Sequence, residues 1–236
     1  MNKRQHLGQH FLNSESIAKS IIDYADITKK DTVLEIGTGK GILIPHLCHA
    51  ANKVISIEKD KELYSLARQK FSNFSNLSLH CGDGFKSDPD FTVFVSNLPY
   101  SESRHAIEWL IQKKFLHAVI MVQKEFAEKL FAKLDNKNRK AITVLANYGT
   151  KIEPLMDVRK SNFSPPPKVD SVVLRLTKTH QISKDLIHTV NKLFSYRRKT
   201  IRNIAKQFDI SIDSNQRLED LTDGEIIKLA KQIKRN

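Results

Sequence analysis

A glycine-rich loop is the first segment of this sequence whose residue types suggest binding chemistry. Residues 35–41 read EIGTGKG and overlap a short apolar run at 32–36 that predicts a buried strand. Glycines at a strand-to-helix turn let the backbone bend tightly and approach a ligand without a Cβ clash. The spacing departs from the dinucleotide-binding pattern, since Gly41 stands one position early and Ile42 takes the place of the third glycine. The loop alone fits an ordinary turn or a site for an adenosyl or nucleotide ligand.

Acidic residues near this loop favour the adenosyl ligand. Glu58 ends the next predicted strand, 21 residues beyond Gly37, where a carboxylate can accept hydrogen bonds from two ribose hydroxyls. Glu35 would repel a pyrophosphate but suits a cationic group such as the methionine end of S-adenosylmethionine. Asp83 lies in the GDG sequence of residues 82–84, where it can accept a hydrogen bond from an adenine amine or merely form a turn.

The NLPY sequence of residues 97–100 carries groups suited to an aromatic amine. Such an amine is a poor nucleophile because its lone pair is delocalised into the ring. The Asn97 side-chain oxygen and the Leu98 carbonyl can accept its two hydrogens, which favours the pyramidal geometry of the transition state. Pro99 fixes the local backbone, and Tyr100 offers a face on which an extruded base can stack. Following the loop and the two acids, this tetrapeptide predicts methylation of the amino group of adenine or cytosine.

The elements that must hold these residues alternate between strand and helix over the first part of the chain. The predicted strands are 32–36, 53–58, 77–80, 91–95 and 118–122, and the predicted helices are 14–25, 41–50, 61–71, 103–112 and 124–134. This alternation predicts an α/β fold with a parallel sheet covered on both faces.

The pattern changes after residue 134. Residues 139–148 predict a helix, and 151–158 and 169–176 predict two strands joined by a proline-rich loop, which suits an antiparallel edge. From about residue 178 the chain is helical and polar, so we expect a domain boundary there.

Composition excludes several classes of protein. The 236 residues are 40% hydrophobic and 28% charged, which is typical of globular proteins rather than disordered or fibrous ones. No apolar run approaches the about 18 residues of a membrane span, and residues 1–14 show no secretory signal. Two cysteines, Cys48 and Cys81, cannot by themselves make a disulfide framework or a zinc site. We therefore predict a cytoplasmic protein without a metal centre.

The charge points to a polyanionic partner. The formal net charge is +13, and no acidic residue stands between Asp185 and Asp209. This stretch contains six basic residues, which are Lys192, Arg197, Arg198, Lys199, Arg202 and Lys206. Aromatic residues are interleaved with them, so the stretch predicts a surface that binds nucleic acid.

Taken in order, these motifs resemble the ribosomal RNA adenine N6,N6-dimethyltransferases of the KsgA type over nearly the whole chain. The segments that carry the resemblance are QHFL (9–12), EIGTGKG (35–41), EKD (58–60), GD (82–83), NLPY (97–100), QKE (123–125), FSPPPKVDS (163–171) and RRKTIRN (197–203).

The resemblance implies a Rossmann-like, seven-stranded methyltransferase domain at residues 1–177 and a small, basic, all-α RNA-binding domain at residues 178–236. It implies S-adenosylmethionine as methyl donor. The implied target is two adjacent adenosines near the 3′ end of small-subunit ribosomal RNA, each dimethylated within a pre-ribosomal small subunit during ribosome biogenesis. A monomer is the simplest expectation.

The resemblance also assigns roles to residues of this sequence. It implies cofactor binding by Gln9, His10, Leu12, Glu35, Gly37, Gly39, Glu58, Lys59, Asp83, Gly84 and Asn97. It implies catalysis by Asn97, Leu98, Pro99 and Tyr100. It implies substrate binding by Tyr100, Phe163, Arg197, Arg198, Lys199 and Arg202. Phe163 either closes the second face of the target base or anchors the proline-rich loop.

Three positions depart from the family pattern. Glu102 brings a carboxylate next to a site that must accept an RNA backbone, and Phe85 replaces a small aliphatic residue beside the adenine contact. His10 stands where many members have asparagine. A lone histidine near a site is more often a hydrogen-bonding or packing residue, so we assign His10 no proton transfer.

Three alternative functions share parts of this pattern. Large-subunit ribosomal RNA adenine methyltransferases of the macrolide-resistance type have the same fold, but the segments at 163–171 and 197–203 favour the small-subunit enzymes. DNA adenine methyltransferases usually carry an acid in place of Asn97. A non-catalytic ribosome assembly factor on this fold would not need Asn97 and Glu58 intact.

Overall fold

A computed structural model of the protein describes residues 10–134 and 136–234. These residues form two compact units. The first contains residues up to 106, 114–124 and 152–177, and the second contains 107–113, 125–151 and the chain from 178 onward. The domain boundary expected near residue 178 stays a prediction, and the second unit also takes in two earlier segments.

A mixed seven-stranded sheet dominates the first unit. Its strands are β2 (Thr32–Ile36), β3 (Lys53–Glu58), β4 (Leu77–Cys81), β5 (Val93–Asn97), β6 (His117–Gln123), β7 (Thr150–Val158) and β9 (Ser171–Lys178). The strand order is β4-β3-β2-β5-β6-β9-β7. The strands from β4 to β6 pair in parallel, and β9 runs antiparallel to β6. The predicted seven-stranded α/β fold is confirmed.

A second, two-stranded sheet joins distant parts of the chain. It pairs β1 (Phe11–Leu12) with β8 (Phe163–Ser164) in antiparallel register. The Asn13 N–H extends the pairing by donating to the Asn162 carbonyl at 3.0 Å. No sequence pattern indicated this sheet, because two-residue strands have too few residues to show a period.

Nine helices are found in the described residues. They are α1 (Glu15–Ala25), α2 (Ile44–Ala50), α3 (Lys61–Lys70), α4 (Ser103–Leu110), α5 (Lys124–Leu130), α6 (Ala141–Gly149), α7 (Lys184–Ser195), α8 (Ile201–Ala205) and α9 (Asp223–Lys234). None of the helices that the structure describes is long and apolar enough to cross a membrane.

Two helices are shorter than predicted by three or more residues. The helix expected from residue 41 begins at Ile44, because the glycine turn before it has positive φ angles that a right-handed helix does not accept. The helix expected at 124–134 ends at Leu130. Both predictions placed the helix correctly but extended it into turns.

The core of the first unit follows from helical and strand periodicity. In α1 the buried residues Ala18, Ile21, Ile22 and Ala25 recur at helical spacing and form one face. That face packs against the sheet, while Ser14 caps the helix by accepting a hydrogen bond from the Ile17 N–H at 3.4 Å. The parallel strands are apolar on both faces, since neighbouring residues such as Val33 and Leu34 are both fully buried.

The second unit is helical around α6, α7 and α9, which pack on one another. The resemblance predicted a basic helix at residues 197–203, and only the last part of that segment is helical. Helix α7 ends at Ser195, and Tyr196 and the residues up to 199 form turns before α8 starts at Ile201. The break is held by strand-like pairing, since Thr200 bridges Arg217 and the Ile201 N–H donates to the Gln216 carbonyl at 2.8 Å.

Candidate functional site

The predicted chemistry-bearing residues meet at one edge of the seven-stranded sheet. Because β2, β3 and β5 are parallel neighbours, their carboxyl ends carry Glu35, Glu58 and Asn97 to the same pocket. The described residues that line the pocket are His10, Phe11, Leu12, Glu35, Gly37, Thr38, Gly39, Lys40, Ile42, Leu43, Glu58, Asn97 and Pro99. Residue Gln9, also predicted as a cofactor contact, lies outside the described residues.

Glu35 is a buried acid facing this pocket. Only 1% of the residue is exposed, and the Ser56 hydroxyl donates to its Oε2 at 2.5 Å. Burial raises the pKa of Glu35 to about 8, the nearby Glu58 charge adds to the rise, and the Ser56 hydrogen bond opposes it. A positively charged group next to Glu35 would restore its ionised form, so the acid fits the ammonium end of S-adenosylmethionine.

Two backbone N–H groups of the glycine loop donate hydrogen bonds to residues of β3. The Gly37 N–H donates to the Ile57 carbonyl at 2.8 Å, and the Gly39 N–H donates to Glu58 Oε2 at 2.8 Å. Gly39 has a φ of 58°, and a Cβ there would lie 3.3 Å from the Phe11 ring. The loop therefore passes close to Phe11 in a conformation that favours glycine.

Glu58, at the end of β3, is held by the glycine loop and by the turn that follows the strand. Its Oε1 accepts a second hydrogen bond from the Asp60 N–H at 2.8 Å. A carboxylate has about four lone-pair sites, so two backbone hydrogen bonds leave acceptor capacity for ligand hydroxyls. The side chain is thus oriented before a ribose binds.

Three predicted cofactor contacts, Lys59, Asp83 and Gly84, are not among the described residues that line the pocket. Asp83 follows β4, accepts a hydrogen bond from the Phe85 N–H at 3.2 Å, and lies 3.3 Å from the Lys59 ammonium. Gly84 packs so tightly that a Cβ there would lie 2.7 Å from the Ile36 side chain. These three residues, Asp83, Lys59 and Gly84, extend the strand edge that carries Glu58.

The NLPY segment begins inside the sheet and leaves it sharply. Asn97 is the last residue of β5 and is half-buried, whereas the Leu98 side chain is 2% exposed. Pro99 is extended, with φ −53° and ψ 134°, and starts a single turn of 3₁₀ helix at Tyr100–Glu102. This path directs Asn97 and Pro99 to the pocket while Leu98 anchors the segment in the core.

Tyr100 is surrounded by partners that fix its ring. Its hydroxyl is hydrogen-bonded to the Ser171 hydroxyl at 2.7 Å. Burial raises the pKa of Tyr100, the Ser171 hydrogen bond opposes the rise, and the Asp170 charge adds to it. The His10 ring stacks on Tyr100 with ring centres 5.5 Å apart, and Phe163 approaches edge-on at 6.5 Å.

Two of these neighbours bear on the sequence predictions. Phe163 is only 3% exposed and belongs to the hydrophobic core, while its role toward a target base stays a prediction. Ser171 was not singled out as a functional residue, although it closes the FSPPPKVDS motif. Only the folded chain brings it to Tyr100, which lies 71 positions earlier.

The predicted RNA-binding cations lie in the second unit. Arg197 is half-buried, and Arg198 and Lys199 are exposed in the turn after α7. Arg202 in α8 forms an ion pair with Asp213. Lys140 also belongs to this basic region. Burial lowers the pKa of Lys140, and the nearby positive charges of Arg197 and Lys129 lower it further. Sequence spacing gave no sign of Lys140, which precedes Arg197 by more than fifty positions.

The residues that the structure describes form no metal centre. Within residues 10–134 and 136–234, no group of three or more His, Cys, Asp or Glu side chains is arranged to hold a metal ion.

Comparison with known proteins identifies the family. The family described as ribosomal RNA adenine dimethylase matches residues 1–235. The chain belongs to this family. Ribosomal RNA small subunit methyltransferase A of Thermotoga maritima is 34% identical over 241 residues, which cover 98% of this chain and 86% of that protein. The protein of the same name from Clostridium botulinum strain Kyoto is 34% identical, covering 96% of this chain and 92% of its own.

Solved structures agree with this assignment. A dimethyladenosine transferase from Plasmodium falciparum has a TM-score of 0.81 and 28% identity, covering 96% of this chain and 98% of its own. The 23S rRNA methyltransferase ErmE has a TM-score of 0.67 at 21% identity, covering 95% and 99%, and this likeness shows a shared fold.

The enzyme is therefore an S-adenosylmethionine-dependent ribosomal RNA adenine dimethyltransferase. The family, fold, methyl donor and reaction predicted from the sequence are confirmed. The macrolide-resistance type and a non-catalytic factor, both considered from the sequence, are not favoured by the curated relatives.

Proposed function

We propose that this enzyme dimethylates the N6 amines of two adjacent adenosines near the 3′ end of small-subunit ribosomal RNA. It would act on a pre-ribosomal small subunit during ribosome biogenesis, as a cytoplasmic monomer. The observation that supports this proposal is that Asn97 lines the same pocket as Glu35 and Glu58. The relatives named small subunit methyltransferase A support the choice of subunit.

The pocket residues would divide the cofactor between them. Glu35 would pair with the ammonium of the methionine end, and Glu58 would accept hydrogen bonds from the ribose hydroxyls. Asp83 would accept a hydrogen bond from the adenine amine. When bound, S-adenosylmethionine supplies an electrophilic methyl group.

Asn97 and Leu98 would prepare the target amine for attack. The Asn97 side-chain oxygen and the Leu98 carbonyl would each accept one N6 hydrogen, which localises the nitrogen lone pair. A side-chain base is not required, because the proton becomes acidic only after the methyl group is added. Holding the amine in line with the methyl group accounts for up to about 7–11 kcal/mol of the barrier.

Tyr100 would hold the flipped adenosine by stacking, which is worth about 1–3 kcal/mol per base. The hydrogen bond to Ser171 would keep the ring in place while the base exchanges. Phe163, edge-on to Tyr100, would close the second face of the base or anchor the proline-rich segment.

The basic residues of the second unit would bind RNA phosphates. Arg197, Arg198 and Lys199 would present positive charge from the turn after α7, and Arg202 from α8. Phosphate contacts of this kind fix the position of a substrate without reading its sequence. They suit an enzyme whose target is selected by a structured ribosomal subunit.

Methyl transfer to two substrates tests this proposal. Labelled methyl groups are supplied from S-adenosylmethionine to under-methylated small ribosomal subunits and, in parallel, to naked large-subunit RNA. The proposal predicts label in small-subunit RNA alone. Label in large-subunit RNA would assign the enzyme to the macrolide-resistance type, and binding without label would make it an assembly factor.

A further inference from the structure

His10 covers one face of the Tyr100 ring. The two ring centres are 5.5 Å apart and the planes are inclined by 28°, which is a stacked arrangement. His10 Nδ1–H donates to the Pro165 carbonyl at 2.8 Å, so a hydrogen bond as well as stacking holds the imidazole there.

The backbone on both sides of this contact is fixed. Phe11 and Leu12 pair with Ser164 and Phe163, and Leu12 is 4% exposed. The His10 ring, by contrast, is only partly buried. Rotation of the His10 side chain can therefore uncover Tyr100 without any change in the paired strands.

The histidine that stacks on Tyr100 is itself a pocket residue. His10 lines that pocket together with Asn97 and Pro99. Tyr100 cannot easily turn another face toward Asn97, because Ser171 holds its hydroxyl and the Phe163 ring packs beside it with ring centres 6.5 Å apart and planes inclined by 67°. A base that stacks on Tyr100 within reach of Asn97 would thus use the face that His10 covers.

The gap between the two rings is too small for a base. Carbon atoms in contact are about 3.5 Å apart, so a base inserted between two rings needs about 7 Å between their planes. The ring centres are separated by 5.5 Å. A target base can take this face only after the imidazole leaves it.

We propose that His10 competes with the target base for Tyr100, so that each binding event displaces the imidazole. The inference rests on the stacking role of Tyr100 in the proposed function. His10 thereby weakens the binding of every base by the same factor, because the cost of displacing the imidazole does not depend on the base that replaces it.

Binding measurements on His10 variants test this inference. The dissociation constant for under-methylated small ribosomal subunits is measured without cofactor for His10→Ala and His10→Asn. Both remove the stacked ring, and Asn keeps a polar side chain that can donate to Pro165. We expect both variants to bind about twofold to tenfold more tightly, the range that one aromatic pair is worth.

His49→Ala is the matched control. His49 also bonds a proline carbonyl through Nδ1, at 2.6 Å from Pro45, and also contacts an aromatic ring, that of Phe74. It is not among the described residues that line the pocket. Its replacement should leave the dissociation constant unchanged.

Tyr100→Ala separates this inference from the proposed function. In that background, replacing His10 should no longer tighten binding, since its stacking partner is gone. Unchanged or weaker binding by both His10 variants, with Tyr100→Ala binding poorly, would overturn the inference alone. If folded Tyr100→Ala binds as tightly as the parent enzyme, the stacking role itself is wrong and the inference fails with it.

Discussion

Two pocket residues, Glu35 and Asn97, lie at the ends of neighbouring strands and differ in whether their side chains can ionise. Glu35 is a buried carboxyl group whose charge depends on its surroundings, whereas Asn97 is a neutral amide at every pH of interest. Glu35 can pair with a charged group of the cofactor, whereas Asn97 can only orient a hydrogen-bond donor. Their replacements should therefore affect different measurements.

Replacing Asn97 by alanine should lower turnover steeply while leaving cofactor binding nearly unchanged. Loss of one oriented hydrogen-bonding group in a transition state typically lowers kcat about 100- to 1000-fold. Single-turnover methylation and calorimetric titration with S-adenosylmethionine measure the two effects. A large loss of cofactor affinity in a folded variant would mean that Asn97 belongs to the cofactor site instead.

Glu35 should make the stability of the enzyme depend on pH. Its pKa is raised from 4.5 to about 8 by folding, so the native state holds this proton more tightly than the unfolded state. The resulting stabilisation is complete below pH 4.5 and is lost as the pH rises through 8, with a slope of at most about 1.4 kcal/mol per pH unit.

Comparison with Glu35→Gln isolates that contribution. Urea unfolding of both proteins without cofactor, between pH 5 and 9, should show the parent losing stability relative to the variant as the pH rises. The ionisable groups remote from Glu35 are common to both proteins, and their contributions cancel. A difference that does not change with pH would contradict the raised pKa of Glu35.

Among the elements, the glycine turn before α2 depends most on the absence of side chains. Gly41 has a φ of 75°, and a Cβ there would lie 2.2 Å from the buried Phe71 ring. Gly41→Ala should lower the free energy of unfolding by about 2–5 kcal/mol, through left-handed strain and overpacking.

Gly224→Ala provides the control for that substitution. Gly224 lies in α9, and no heavy atom lies within 4 Å of a Cβ built there. This change should stabilise the protein by about 0.5–1 kcal/mol, because alanine is the better helix former. Equal effects of the two substitutions in urea unfolding would contradict the packing described at Gly41.

The basic turn after α7, together with Arg202 at the start of α8, should set the salt dependence of RNA binding. Replacing Arg197, Arg198 and Arg202 together by alanine should weaken binding and reduce the slope of log K against log salt by about 2–3, one unit or slightly less for each lost phosphate contact. Filter binding of under-methylated small subunits at several salt concentrations measures this slope.

A matched triple variant carries the same change of charge. Lys19, Lys61 and Arg68 are exposed basic residues of α1 and α3, outside the basic turn. Their replacement by alanine removes the same three charges and should leave the slope nearly as in the parent. If the two triple variants behave alike, the basic turn is not the RNA contact.

The strands and helices show which parts of the fold and of the site can be predicted from the sequence. Strands at 32–36 and 53–58 are confirmed at both ends, because apolar runs stop where the glycine loop and Glu58 begin. The break after Ser195 was missed, since it depends on pairing of Thr200 with Arg217. Likewise Ser171 reaches Tyr100 only through tertiary structure, which no local pattern records.

For the whole molecule, family membership was easier to predict than the grouping of segments. The ordered motifs are local, so the sequence alone identified the adenine dimethylases, and the family match confirms this. Residues 107–113 and 125–151 belong with the C-terminal segment in the second unit. That grouping depends on contacts between distant parts of the chain, which hydrophobic periodicity does not reveal.

The central claim is that this enzyme dimethylates two adjacent adenosines near the 3′ end of small-subunit ribosomal RNA. Mass spectrometry of ribonuclease fragments tests it most directly, on small subunits methylated to completion by the purified enzyme. The account predicts two neighbouring dimethyladenosines in one fragment from the 3′ end, and none with Asn97→Ala. A single modified adenosine, or dimethyladenosine elsewhere in the RNA, would contradict it.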